Sequence, residues 1–152
     1  MPYIKEKNRP SMDEIVLLME ALRVFPDELG FILYKFCVDY IKPSYNNYKN
    51  YIGELNECEA EIKRRLPLNN KGDALYVIAE SRRKELNRVV ELMREKEIKV
   101  DGDLNYVIFK YAKYLSNDAV KMVNLLSQIV SSIRVNILAP YEDSKIKENG
   151  DL

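Results

Sequence analysis

This chain of 152 residues contains no histidine. That removes the usual acid–base group of neutral pH and the commonest metal ligand. Net charge is missing as well, since Lys plus Arg and Asp plus Glu both number 24. The balance persists within each half, with 11 basic and 12 acidic residues over 1–75. A generic polyanion binder draws its affinity from a large cationic surplus, so general nucleic-acid binding is not expected. A local basic pocket for one small anion remains compatible with this balance. Glycine-rich phosphate loops, Cys–His constellations and the Gly-x-Ser-x-Gly elbow are all lacking. No carboxylate pair stands out from the helix-surface background. The expectation is a non-enzyme with no metal and no cofactor.

Other absences narrow the class. The opening MPYIKEKNRP has no apolar core, so no secretory signal is expected. The longest nearly uncharged apolar stretch, Leu29 to Tyr34, is too short to span a bilayer. Cys37 and Cys58 lack metal-type spacing and read as small buried apolar residues. Together these point to a cytoplasmic, reduced protein with no membrane partner. No alternating strand pattern of useful length occurs, which leaves an all-α class.

What the chain does contain is itself, twice. Ile15-Val16-Leu17-Leu18-Met19 reads against Val89-Val90-Glu91-Leu92-Met93 at an offset of 74. Leu29-Gly30-Phe31-Ile32-Leu33-Tyr34-Lys35-Phe36 reads against Leu104-Asn105-Tyr106-Val107-Ile108-Phe109-Lys110-Tyr111 at 75. Ile52-Gly53-Glu54-Leu55 answers Val123-Asn124-Leu125-Leu126, Ile62-Lys63-Arg64 answers Ile133-Arg134-Val135, and Gly72-Asp73 answers Gly150-Asp151. A repeat of this length decides the architecture before any local detail does. It predicts two tandem three-helix units, about 11–73 and 81–151, packed with pseudo-twofold symmetry into one helical bundle. Residues 1–152 are then a single compact domain.

Helix signals fill in the plan. Ser11-Met12-Asp13-Glu14 has the form of a capping box, with Ile15, Leu18, Met19 and Leu22 following at helical spacing. Pro26 ends that element. Asp27 and Glu28 open a second helix that runs to about Ile41 and is apolar nearly all round, as a central helix is. Ser44 caps a third, to about Leu66, with Tyr48, Ile52, Leu55, Ile62 and Leu66 inward. Pro67 to Asp73 is the connector, rich in turn formers. The second copy predicts a helix from about Asp73 or Ala74 to Lys96, then a turn with Asp103 as cap, then Leu104 to Leu115. Asn117 is expected to cap the last long helix, which Ala139-Pro140 stops. A polar tail from Tyr141 to Leu152 follows.

The ends and internal motifs carry a resemblance. Met1-Pro2-Tyr3-Ile4, Leu104-Asn105-Tyr106, Ile52-Gly53-Glu54-Leu55, Glu61-Ile62-Lys63-Arg64-Arg65 and the tail Pro140-Tyr141-Glu142-Asp143…Asn149-Gly150-Asp151 resemble a family of short uncharacterised bacterial and phage proteins. Its single-copy members are similar to one pass through this pattern. Each copy here departs from it. The first has Leu29-Gly30-Phe31 for Leu-Asn-Tyr, and the second has Arg134-Val135-Asn136 for the double arginine. The resemblance informs the fold and implies no activity.

Three candidate sites follow. Lys63-Arg64-Arg65 closes the third helix, where cations complement the negative end of the dipole. The same arginines form a planar fork for phosphate, with Arg82-Arg83-Lys84 approaching across the connector. Tyr45, Tyr48 and Tyr51 offer rings for base stacking; the alternative is that Tyr45, Tyr48 and Ile52 are the core stripe of their helix. In the tail, Tyr141 and Ile146 are expected to dock on the bundle while Glu142, Lys145 and Asp151 pair with arginines. The binding set is therefore Arg64, Arg65, Tyr48, Tyr51, Arg134, Tyr141 and Lys145. The functional expectation is a non-enzymatic protein of phage type that sequesters a small anionic nucleotide-like host immune signal. The alternative is a protein–protein adaptor or inhibitor of a host protein with no small ligand. A homo-oligomer fits either.

Overall fold

The computed structural model of the chain describes residues 4–66, 78–115 and 119–150. Among the described residues there is no strand. A short 3-10 turn, Glu6–Asn8, leads into α1 (Arg9–Leu22), followed by α2 (Pro26–Tyr40) and α3 (Tyr45–Arg65). The second copy supplies α4 (Glu80–Glu95), α5 (Asn105–Leu115) and α6 (Ala119–Ile133), with α7 (Ala139–Glu148) beyond it. The expected helix start at Asp73 or Ala74 and the expected cap at Asn117 lie outside the described residues.

The duplication is visible atom by atom at the first corner of each copy. Helix α1 ends where Arg23 takes a left-handed φ of 52°, and α4 ends on Glu97 at 51°. Val24 N–H donates to Met19 O at 3.1 Å, and Ile98 N–H donates to Met93 O at 3.0 Å. Both corners are the six-to-one closure that satisfies the last carbonyls of a helix. The chain then turns back, and a carboxylate holds each turn. Phe25 N–H donates to Glu28 Oε1 at 2.9 Å, and Lys99 N–H donates to Asp103 Oδ2 at 3.0 Å. The second copy carries one more residue here, inside a wide π-type turn, Val100–Leu104. Gly102 absorbs it with φ +102°, which a side chain would strain.

Inward positions correspond as the repeat requires. Met12, Ile15, Val16 and Met19 of α1 are buried, as are Leu86, Val89, Val90 and Met93 of α4. Leu29, Ile32, Leu33 and Phe36 match Leu104, Val107, Ile108 and Tyr111, and Leu55 and Ile62 match Leu126 and Ile133, all buried. The packing order shows how two copies make one bundle. Helix α1 packs on α5 as α4 packs on α2, α2 packs on α6 as α5 packs on α3, and α1–α4 and α3–α6 meet across the pseudo-twofold axis. Nearly every helix pair of consequence therefore joins one copy to the other. Among the described residues, α5 and α6 are the only helices of one copy that pack on each other to any extent.

Several local expectations are corrected. Ser11 is not a cap: α1 begins two residues earlier, with Pro10 in its first turn and no side-chain cap. Proline suits that place because its missing N–H has no helical partner there. Ser44 does cap α3, its Oγ accepting Asn47 N–H at 3.0 Å. Pro140 does not stop the last helix. A π segment, Arg134–Leu138, precedes it, and the widened turn leads into α7 with the proline at its start. The tail through Glu148 is thus helical. Val120–Glu148 forms a run of 29 residues, long and apolar enough by length and composition to cross a membrane. Its first half is amphipathic and lays Met122, Val123, Leu125, Leu126, Val130 and Ile133 into the core.

Candidate functional site

Where α3 of the first copy meets α5 of the second, a cavity of about 360 Å³ opens between the helices. Asn105, Tyr106, Phe109, Lys110 and Lys113 form its α5 wall, at the spacings that keep residues on one helix face. Arg65, the last residue of α3, and Arg9, the first of α1, complete it. Four cations line the cavity and no carboxylate does.

Carboxylates stand behind the wall and orient the cations. Asp13 Oδ1 accepts from Tyr106 Oη at 2.8 Å and from Lys110 Nζ at 2.5 Å. Burial pushes the Asp13 carboxyl up, but the bonds from Lys110 and Tyr106 prevail and hold it below the usual range. Glu61 plays the same part for α3. Its Oε1 accepts Arg65 Nη1 at 2.8 Å, and its other oxygen is bonded by Arg64. Burial raises the Glu61 carboxyl, and the two arginines outweigh it and leave it lowered. The Arg65 guanidinium also lies over the Phe109 ring, 4.4 Å from its centroid. Cation–π contact and ion pair together leave its fork partly committed and pre-oriented.

At the base of the wall sits Asn105, with no exposed surface. Neither its Nδ2 nor its Oδ1 has a hydrogen-bond partner. A buried carboxamide left this way costs about 1–3 kcal/mol per orphaned group. Native cores rarely keep one without a reason. Its helix end is held from the other copy, because Gly102 N–H donates to Glu54 Oε1 at 3.2 Å. Burial raises the Glu54 carboxyl despite that bond, with Asp101 and Glu57 adding to the rise. Glu54 also lines a separate cavity of about 520 Å³ with Glu57 and Asp101, whose acidic wall does not suit an anion.

The residues expected from sequence fall in two places. Arg65 joins the basic cavity, while Arg64 is exposed beside it and turned to Glu61. Tyr48 lies about 25 Å away along α3, at 1.5 Å per residue. There its ring meets Tyr141 edge-on at 5.5 Å, and Lys145 Nζ sits 5.6 Å over Tyr141. This is the expected docking of the tail, made by Tyr141. Ile146 stays exposed at 42%. Lys145 pairs with Glu148 of its own helix at 3.0 Å and not with a residue of the bundle, and Asp151 is outside the described residues. Tyr51 belongs to the core. It is wholly buried and its hydroxyl donates to Leu33 O at 2.6 Å, so no base can stack on it. Arg134 is exposed at the start of the π segment and lines no part of the basic cavity. Nor does Arg82 approach the Lys63–Arg65 run. Arg82 Nε donates at 2.6 Å to the fully buried Glu28, and its Nη2 donates to Arg23 O at 3.2 Å, clamping α4 to the α1–α2 corner.

Sequence reasoning missed Arg9, Phe109, Lys110 and Lys113, and gave Asn105 and Tyr106 no site role. One signal was present: Asn105 is a carboxamide among the otherwise apolar or aromatic inward positions of α5, and its first-copy equivalent is Gly30.

One family model, a domain of unknown function (DUF6899), matches the chain twice, over residues 1–69 and 76–152. No curated protein and no solved structure matches.

Proposed function

Since the chain belongs to the DUF6899 family, in two tandem copies, its activity has to be read from its own residues, and we propose that it is a non-enzymatic binder of a small anionic, nucleotide-type ligand. The observation that carries this reading is the cavity between α3 and α5, where four cations, two aromatic rings and an unpartnered buried carboxamide converge. Arginine forks and lysine ammoniums suit phosphate oxygens. Tyr106 and Phe109 suit a flat ring, and Asn105 supplies one donor and one acceptor for its edge. Because the Asn105 amide is sealed from solvent, a ligand that reaches it must displace a neighbouring side chain. The volume lies at the low end of small-ligand pockets, which favours a mononucleotide or a compact dinucleotide. The sequence resemblance to phage proteins suggests sequestration of a host immune signal as the biological role. Buried free cysteines fit a reducing, cytoplasmic setting.

A thermal-shift panel of cyclic AMP, AMP, ADP-ribose and inorganic phosphate tests this. A ligand at about a hundred times its Kd adds ~2.7 kcal/mol to the native state. For a chain of this size that raises the midpoint by roughly 5–10 °C. A flat response across the panel defeats the reading. It would favour a protein–protein adaptor instead, for which the exposed Val135 and Ile146 on the last helical run are the specific support.

A further inference from the structure

Pseudo-twofold symmetry requires the basic cavity to have a twin. The register between copies names its residues. The α5 wall maps onto α2 at an offset of 75, the start of α1 onto α4 at 74, and the end of α3 onto α6 at 71. Asn105 therefore answers to Gly30, Lys110 to Lys35, Lys113 to Val38, Arg9 to Arg83, and Arg65 to Asn136.

Each exchange removes something a ligand would use. A Cβ on Gly30 would lie 2.9 Å from both Leu125 Cδ1 and Ile129 Cδ1, so apolar side chains already occupy the space of the carboxamide. Those two residues stand where the first copy has Glu54 and Cys58. Asn136 donates to Ser132 Oγ at 3.2 Å, a neutral replica of the Arg65–Glu61 pair. Lys35 turns to Asp39 on its own helix at 2.6 Å, while its partner across the axis, Asp13 in the working cavity, has become Asn87. Arg83, the equivalent of Arg9, stays cationic and lies 6.0 Å over the Phe31 ring. Two cations remain of four.

Resting on the pocket reading above, we infer that the duplicated chain holds one anionic ligand, in a site built from α3 of the first copy and α5 of the second, while the α2–α6 twin is a closed relic. The kept residues of each copy lie on opposite sides of one interface, and the changed ones lie on opposite sides of the other. That arrangement follows if a symmetric ancestor with two sites relaxed selection on one interface only. Packing took that interface over: Gly30 lets Leu125 and Ile129 close on the backbone, with no orphaned amide left behind.

Isothermal calorimetry on the full chain with ADP-ribose and, separately, cyclic AMP tests the inference. One equivalent per chain is expected. Arg65→Ala with Lys113→Ala should weaken binding by about tenfold or more, as loss of charge-assisted contacts does. Arg83→Ala with Lys35→Ala should leave affinity within about twofold, because exposed ion pairs contribute little. Circular dichroism and a denaturant midpoint for each variant separate a lost site from a lost fold. Two equivalents per chain, or equal weakening by the α2–α4 pair, overturns the single-site inference while leaving ligand binding standing. No heat from either nucleotide overturns the pocket reading, and this inference with it.

Discussion

Replacing Asn105 with leucine should make the protein more stable and less able to bind. The two side chains have nearly the same branched outline, so the exchange swaps a carboxamide for two methyl groups. The wild-type residue is fully buried with both polar atoms unpartnered. Each orphaned group costs about 1–3 kcal/mol, and both partners are absent rather than one. Against this gain stands about 1 kcal/mol for fitting the slightly larger methyls into a packed interface. A net stabilisation of about 1–5 kcal/mol follows, or roughly 2–20 °C in the thermal midpoint. Guanidinium titration with an unchanged slope reads the first half of the claim. Nucleotide calorimetry reads the second, where affinity should fall, since the leucine offers no donor or acceptor. Activity held at a cost in stability is the signature of a site residue. A destabilisation above about 1 kcal/mol would refute the reasoning, because it would mean that the amide is hydrogen-bonded in solution.

Leu33 is 1% exposed in the most apolar helix of the first copy. Leu33→Ala should cost about 2–5 kcal/mol through lost transfer energy and a cavity, and a loss under ~1 kcal/mol by urea titration would place this helix outside the core. Gly30→Ala pits a helix-propensity gain of about 0.5–1 kcal/mol against overpacking of about 1–3. With two side-chain carbons at 2.9 Å, the clash should win, and a raised melting temperature would show that Leu125 and Ile129 swing aside freely. For pH, Glu61 and Asp13 are held below their ordinary values of 4.5 and 3.8. Their contribution is therefore complete above those values and is lost as pH falls below them and through the lowered native-state values. Glu54 is raised, so its contribution runs the other way, present in acid and lost as pH climbs above 4.5. Denaturant midpoints between about pH 3 and 7 should show Glu61→Gln flattening the acid limb and Glu54→Gln leaving it in place; an unchanged limb in Glu61→Gln counts against the arginine pairing.

Helical periodicity made the faces legible, because Ile15, Met19, Leu33, Ile108 and Leu126 announce which side of each helix is apolar. Self-similarity then made the copies legible. Neither reveals which face meets which, and the answer here is that faces pair across copies. The basic cavity was hidden for that reason. Arg65 and Lys113 are far apart in sequence and come from different repeats, and nothing local to either marks the other. Tyr51 misled because a tyrosine at core spacing and one at a stacking site look alike until its hydroxyl is traced to Leu33 O. Pro140 misled because a proline stops a helix only if the preceding turn demands its N–H. The π segment before it removes that demand. The paired corners at Arg23 and Glu97 carry no glycine, so their left-handed residues gave no sign of themselves.

The cross-copy packing of the helices has a consequence for biosynthesis. A nascent chain that has released α1, α2 and α3 has no stable use for their apolar faces, since the surfaces that cover them belong to α4, α5 and α6. At ~5–20 residues per second, the second copy follows only after several seconds. During that interval the first copy waits as an amphipathic chain, exposed to chaperones, proteases and other nascent chains of its own kind. Translation arrested in the connector would therefore yield a fragment prone to aggregate rather than a half-size bundle. The last long helix to leave the ribosome, α6, closes both α2 and α3.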